Sequence, residues 1–214
     1  MTGIVLVRAF ELASVVLVIA CAVYIWRRLE GNRHYYANLI ACGCAFLWEW
    51  YMDIGPLQLA YDPGFLNLWV INGVGLPLMI PFAYAWYWFL PNLILLPRRE
   101  WIDRRWGNAQ YLYVFVLTGL FNIAVEWPAT TLGGLWHYSW KTWTIGGVPA
   151  TNIPMAGSTS LLIYLFSRIA MKQDERQPFG ILCLHHLAWV SLGLYLPWVL
   201  GTYVLGVTMP IWHE

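Results

Sequence analysis

Hydrophobic residues run along this chain in long unbroken blocks, not in the one-face patterns of helices or strands that line a water-soluble core. Six blocks qualify, at residues 4–26, 36–54, 66–90, 109–131, 149–171 and 179–206. Each offers the roughly 20 apolar residues that a helix needs to cross a bilayer. The pattern predicts an all-α fold, a polytopic membrane bundle of about six transmembrane helices, in one domain over 1–214. The first block is too long for a signal-peptide core, and its positive charges, Arg27 and Arg28, follow it instead of preceding it. It is therefore expected to stay as a helix. Pro77 and Pro81 in the third block and Pro197 in the sixth are expected to kink helices whose neighbours satisfy the freed carbonyls.

The polar links fix an expected orientation. Those at 27–33, 97–105 and 168–177 hold ten of the twelve basic residues, whereas those near 55–65 and 132–148 hold only Lys141. Lys and Arg accumulate on the cytoplasmic side of membrane proteins. Both termini are thus expected on the non-cytoplasmic side of a multi-pass protein, in a bacterial inner membrane. Composition agrees, with 60% hydrophobic residues and 11% charged, against about 25% charged in an ordinary soluble domain. A net charge of +1 leaves no basic excess to neutralise phosphates, so no nucleic-acid partner is expected. Cys21, Cys42, Cys44 and Cys183 match neither a zinc-site nor a Cys-x-x-Cys spacing, and they are expected to be inert thiols in apolar surroundings.

An offset of 77 residues aligns the chain with itself. Glu49-Trp50 then falls on Glu126-Trp127, Tyr61 on Tyr138 and Pro77 on Pro154, while Tyr36, Tyr87 and Phe89 meet Tyr113, Tyr164 and Phe166. The coincidence of a Glu-Trp pair deep in each of two apolar blocks, with a Tyr twelve residues later, predicts two helix–loop–helix units, 36–90 and 113–167. Both units start from the cytoplasmic side, so the repeat is expected to be parallel, related by an axis along the membrane normal.

Ionisable groups inside apolar helices are costly, and they mark either function or pairing. Glu49 and Glu126 lie at matching depths under the repeat, and Asp53 shares a helix face with Glu49 at i+4. A protonated carboxyl in an apolar cavity is a usable general acid. The surroundings are rich in rings (Trp48, Trp50, Tyr61 and Trp69; Trp127, Trp136 and Tyr138), and an aromatic face attracts a cation. Acids beside π-faces are what a carbocation reaction needs. The alternative is that the acids pin helices together and the rings form an interfacial belt with packing. Asn72 and Asn152 suit either carboxyl orientation or helix capping. Glu11 pairs naturally with Arg8 one turn away, the arginine snorkelling outward. His185 and His186 lie too near the cytoplasmic side to meet Glu49. With no His-x-x-His or His-x-x-x-His spacing, a histidine-bound metal site is not expected, and no cofactor is expected. No mid-helix lysine offers a Schiff base, and no Gly-x-Ser-x-Gly elbow is present.

The second unit reads Glu126-Trp127, then Gly133-Gly134-Leu135-Trp136-His137-Tyr138, then Ile145-Gly146-Gly147-Val148-Pro149. This resembles integral-membrane carotenoid-biosynthesis proteins, namely the carotenoid hydratases and the heterodimer-type lycopene cyclases built from small repeated helical units. In size, acid placement and aromatic content the chain is also similar to the transmembrane meroterpenoid cyclases. The likeness covers about residues 40–165. The Pro-x-Glu-Glu run of lycopene cyclases is replaced by Pro77-Leu78-Met79 and Pro154-Met155-Ala156. Glu49, Glu126 and Asp53 are therefore the acids to which the resemblance carries over, and it implies proton-initiated isoprenoid chemistry without metal or diphosphate departure.

The expectation from sequence is a transmembrane terpene cyclase, an isomerase or lyase acting on a lipophilic isoprenoid within the lipid bilayer. Glu49, Glu126 and Asp53 are its catalytic candidates. Trp48, Trp50, Tyr61, Trp69, Asn72, Trp127, Trp136, Tyr138 and Asn152 are its candidates for substrate binding. A hydratase is the near alternative. A small-molecule transporter is the distant one, since carriers too have parallel repeats and acids at one depth, but the helix interiors hold few of the polar groups an aqueous path would need.

Overall fold

A computed structural model describes residues 2–49, 59–71, 74–138, 144–145, 148–149 and 152–204. The protein is mostly helical. Helix α1 spans Thr2–Arg28 and α2 Arg33–Cys44, the latter extended by a 3-10 turn, Ala45–Trp48. Helices α3 (Ile80–Leu95), α4 (Arg99–Trp106) and α5 (Gln110–Trp127) follow one another through short 3-10 turns. Helices α6 (Asn152–Ala170) and α7 (Phe179–Val199) follow, and π-helical turns extend α5 over Pro128–Leu132 and α7 over Leu200–Val204. Three helical stretches among the described residues are long and apolar enough to cross a membrane: Gly3–Arg28, Ile80–Leu132 and Phe179–Val199.

Local chemistry explains the turns between them. After α1 the chain reverses at Glu30 (φ 55°) and Gly31 (φ 66°), and the Gly31 N–H donates to the Ile25 carbonyl at 3.1 Å. This is the bond that closes a helix on a left-handed glycine. One residue later the Asn32 side chain accepts the His34 N–H at 2.9 Å and caps the start of α2.

The block at 66–90 departs from the expected helix. Its first part is a hairpin, β2 (Asn67–Ile71) against β3 (Val74–Pro77), with Ile71 opposite Val74, and α3 begins only at Ile80. Val70 and Ile71 favour extended backbone, and Pro77 has no N–H to give a helix. Pro81 instead suits the first turn of α3. A second antiparallel pair joins distant parts of the chain: β1 (Leu59–Tyr61) lies against β4 (Trp136–Tyr138), with Ala60 opposite His137. A short third pair is formed by β5 (Thr144–Ile145) and β6 (Val148–Pro149).

Helix α2 packs on α3 and α7, α3 on α1 and α6, and α6 on α5 and α7. Small residues set the closest approaches. A β-carbon on Gly193 of α7 would lie 2.8 Å from the Ile163 backbone nitrogen of α6, and one on Gly43 of α2 would lie 3.2 Å from the Pro81 carbonyl oxygen. Such contacts let apolar helices gain dispersion energy where lipid tails supply no hydrophobic drive. The core divides in two. One cluster, around Ile25, Phe89, Tyr164 and Leu194, lies among the helices; the other, around Val7, Phe65, Leu76 and Trp136, lies beside the strand pairs.

Candidate functional site

Between the two core clusters is a cavity of about 90 Å³ whose wall includes Glu49, Tyr61, Tyr84, Tyr87, Glu126 and Tyr138. Glu49 follows the 3-10 turn at the end of α2 and is buried. Glu126 lies in the last turn of α5 and is half-buried. The β1–β4 pair forms the remaining wall. Its register sets Tyr61 opposite Trp136 and Leu59 opposite Tyr138, and all four residues line the cavity.

The carboxylates have different partners. Each oxygen of Glu49 accepts from a phenol: Oε1 from Tyr61 at 2.5 Å, and Oε2 from Tyr84 of α3. Oε2 of Glu126 accepts from the Trp136 indole N–H at 3.0 Å and the Tyr138 hydroxyl at 2.8 Å. Its Oε1 accepts from the Tyr87 hydroxyl at 3.5 Å, and Tyr87 in turn accepts from the Asn122 amide. Burial and the adjacent Glu126 push the Tyr138 phenol well above its usual range, so it remains a donor.

This asymmetry has chemical content. An indole N–H only donates, whereas a phenol donates or accepts. Oε2 of Glu126, facing an indole, is an acceptor that carries no proton. Tyr87, 3.5 Å from Oε1, accepts from Asn122. Glu126 thus faces one group that can only donate, the Trp136 indole. Glu49 is bounded by phenols, either of which can turn to accept from a protonated carboxyl.

Rings fill the rest of the wall. Phe10 stands edge-on to Trp136 with centroids 5.7 Å apart, Tyr61 edge-on to Trp136 at 6.4 Å, and Tyr87 edge-on to Trp88 at 4.7 Å. Of the residues singled out in the sequence, the cavity unites Glu49, Glu126, Tyr61, Trp136 and Tyr138. Trp127 does not join them. It is exposed on the outer surface of α5, because the residue next to Glu126 points about 100° away around a helix. The indole that meets Glu126 is Trp136 instead. Trp69 stacks on Phe46 at 5.6 Å, in the packing beside the strands and off the cavity wall. Trp50, Asp53 and Asn72 lie outside the described residues, as do the side chains of Trp48 and Asn152. Tyr84 and Asn122 were not singled out, and Tyr87 was named for the repeat and not as a partner of an acid. Asn122 carried a signal, lying one helical turn before Glu126 on the same face. Glu11 behaves as expected, taking Arg8 at 2.5 Å.

A separate polar centre lies at the other end of the bundle. Asn38 Nδ2 donates to Ser167 Oγ at 2.8 Å and lies 3.1 Å from His186 Nδ1, while Asn92 Nδ2 reaches Asn38 Oδ1 at 3.2 Å. His186 Nε2 is 3.2 Å from His34 Nδ1. The Asn38 oxygen is engaged by Asn92, so its amide nitrogen faces His186; His186 Nδ1 then accepts and Nε2 carries the proton toward His34. Helices α2, α3, α6 and α7 each contribute to this buried node. Comparisons with known protein families, with characterised proteins and with solved structures find no match to this chain.

Proposed function

We propose that this protein is an intramembrane cyclase that starts isoprenoid ring closure by protonation, with Glu49 as the acid and Glu126 as the base. The observation that carries the reading is the pair of carboxyls on one aromatic-lined cavity, Glu49 between two phenols and Glu126 against an indole that can only donate. The Glu49 O–H bond breaks as an alkene π pair takes the proton, leaving a cation on the more substituted carbon. The next alkene's π pair attacks that cation and closes a C–C bond. Glu126 then removes a proton from the carbon beside the final cation, and the freed C–H pair becomes a C=C bond. The reaction is redox-neutral and leaves mass unchanged. Return of the proton from Glu126 to Glu49 resets the site. Ring faces along the wall attract the travelling charge by about 0.5–2 kcal/mol each. At about 90 Å³ the cavity is far below the ~300–1,000 Å³ of pockets that enclose a whole ligand. It fits the reacting end of a long chain whose remainder lies in the bilayer.

The architecture in this proposal is a six-span bundle with a parallel repeat, 36–90 and 113–167, and with both termini on the non-cytoplasmic face of a bacterial inner membrane. Three relationships support the repeat. Tyr61 reaches Glu49 and Tyr138 reaches Glu126, each across twelve residues; α2 packs on α3 as α5 packs on α6; and the β1–β4 register is centred on Ala60 and His137, themselves 77 residues apart. The resemblance to carotenoid and meroterpenoid cyclases points to the same chemistry.

A carrier would need a polar path from the buried His–Asn node to the cavity. On α2 the positions between Asn38 and Glu49 that face the core are Cys42 and Ala45; on α3 Phe89 and Ala85 intervene; on α7 Val190 does, and all are buried. On α6 the buried Tyr164 and Ile163 are followed by the hydroxyls of Ser160 and Thr159, so the layer is apolar on three of the four helices, and that favours the enzyme. The test is to compare lipid extracts of cells making the wild-type chain, the Glu49→Gln variant or neither by chromatography and mass spectrometry. A wild-type-dependent product of unchanged mass and altered retention supports cyclisation. A gain of one water means hydration, and an identical profile in all three strains refutes the proposal.

A further inference from the structure

A second cleft, of about 400 Å³, opens where the start of α4, the start of α5 and the end of α6 meet. Its wall carries Arg99, Arg168 and Lys172, and among the described residues no carboxylate lines it. Arg168 and Lys172 lie four residues apart and so share a face; the helical path continues past α6, the Met171 N–H donating to the Ser167 carbonyl at 2.9 Å. Arg99 joins them from α4. Both arginines act electrostatically on the Tyr164 hydroxyl, which is 3.5 Å from Arg168 Nη1. Asp103 and Gln110 hold the Arg168 guanidinium in place, at 2.8 Å and 3.1 Å, and Asp103 answers its charge. Arg99 and Lys172 form no ion pair among the described residues. Like charges gathered on one wall repel, and an anion between them removes that cost.

We infer that this cleft binds the phosphate of an anionic membrane lipid, with Arg99 and Lys172 as its charge partners beside the anchored Arg168. The inference is independent of the cyclase chemistry and needs only that the long apolar helices lie in a bilayer. A lipid fits better than free phosphate because Leu165, Ile169 and Met171 make much of the remaining wall apolar. Beside Tyr111 of that wall, the exposed Leu112, Val116 and Leu120 run along α5 at four-residue spacing, a track for an acyl chain. Exposed Trp101 and Trp106 at the same end mark the level of the headgroups. A zwitterionic head would press its own ammonium against the same cations, so the head carries no cation. Basic clefts between helix ends suit such anionic heads.

Native mass spectrometry tests this. The full chain, purified in detergent, is exchanged into micelles holding equimolar phosphatidylglycerol and phosphatidylcholine with the same acyl chains, and the bound lipids are counted. The wild type is expected to retain one phosphatidylglycerol in preference. Lys172→Gln and Arg99→Gln should each weaken that binding about fivefold, the weight of one cation against an anionic lipid. Lys172 is exposed, so its replacement keeps the fold even if that of Arg99 does not. Arg176 is an exposed cation of the same polar face that does not line the cleft, and Arg176→Gln should change nothing. Equal retention of the two lipids, or retention of neither, overturns the assignment. So does an equal loss in Arg176→Gln, which would mean a diffuse attraction of the whole charged face. Excess inorganic phosphate should leave the lipid bound; if it displaces the lipid, the site belongs to free phosphate and the lipid assignment fails.

Discussion

Ala60 stands opposite His137 in the antiparallel β1–β4 pair, and the same 77-residue offset that aligns Glu49 with Glu126 separates them. A two-fold operation exchanging the proposed units therefore maps this strand pair onto itself. It brings Tyr61 onto Tyr138 and Leu59 onto Trp136. In the proposed repeat the strand pair lies on the axis between the units, and its residues line the cavity that holds both acids.

A cross-link measures that register. Directly opposed residues in an antiparallel pair have Cα atoms about 4.5–5.5 Å apart, within disulfide reach. In a background lacking Cys21, Cys42, Cys44 and Cys183, the Ala60→Cys, His137→Cys double variant should form an intramolecular disulfide under mild oxidation. Intact and peptide mass analysis reads it directly. Efficient linking of Leu59→Cys to Trp136→Cys instead would mean a shifted register and remove the axis.

Much of the helical layout was legible, and the strands were not. Apolar blocks over α1, α5, α6 and α7 coincide with helices because an uninterrupted apolar run has few other ways to satisfy its backbone in a bilayer. The block at 66–90 misled for the same reason: hydropathy ignores backbone geometry, so Val70, Ile71, Gly75 and Pro77 counted as membrane helix although each favours another conformation. The Asn72-Gly73 dipeptide between two apolar runs was the overlooked hairpin signal. Glu49, Glu126, Tyr61 and Tyr138 were legible through their recurrence at fixed spacing. Tyr84 and Tyr87 were not, because they reach the acids from α3 across the bundle, and a partner chosen by tertiary packing leaves no spacing to read.

Helix approach gives a stability test. A Gly193→Ala β-carbon would lie 2.8 Å from the Ile163 backbone nitrogen, and backbone cannot move aside as a side chain does. Overpacking of this kind costs about 1–3 kcal/mol. Gly180, where an added β-carbon meets nothing within 4 Å, is the control on the same helix. Thermal unfolding in detergent should show a lowered midpoint for Gly193→Ala and an unchanged or slightly raised one for Gly180→Ala.

The buried node offers a second stability test. Asn38 bonds Ser167, Asn92 and His186 at once, and Asn92 also donates to Ser167 at 3.0 Å, so Asn38→Leu strands His186 Nδ1 and leaves Asn92 and Ser167 with each other. At about 1–3 kcal/mol for each unsatisfied group, unfolding should come several degrees earlier. Asn38→Leu with Asn92→Leu takes both amide donors from Ser167 and should fall by more than the sum of the two single losses. A double variant that falls by the sum of the two single losses would show that these residues do not act as a network.

Orientation follows from the charged links. Tags at either terminus, near Pro63 or near Lys141 should be labelled by impermeant reagents from outside the cell membrane. Tags near Arg33, Asp103 and Asp174 should be labelled only after permeabilisation. Glu175 accepts from Asn32, and Asp103 receives both terminal nitrogens of Arg168, so these three links form one connected polar face. Labelling of any of them from outside would overturn both the six-span count and the repeat built on it.

The division of labour between the acids makes the sharpest prediction. Glu49→Gln keeps shape and hydrogen-bonding capacity but has no proton to transfer, so it should lower turnover by about 10²-fold or more while the protein stays folded and binds its ligand. Glu126→Gln should also slow turnover, but differently. The cation still forms, and without its base it is captured by water or loses a proton elsewhere, so hydrated or isomeric side products should accumulate. Trp136→Phe removes the one partner of Glu126 that only donates, and it should shift products the same way at smaller cost, since Tyr138 and Tyr87 remain. Tyr84→Phe acts on Glu49 and should reduce rate without altering the product mixture. Product analysis by mass spectrometry separates the classes: rate loss with a constant product ratio marks the acid side, and a changed ratio marks the base side. If Glu49→Gln altered the products while Glu126→Gln only slowed them, the roles would be reversed. Full activity of the Glu49→Gln, Glu126→Gln double variant on its identified substrate would end the acid–base mechanism and leave both residues as structural ties between helices and strands.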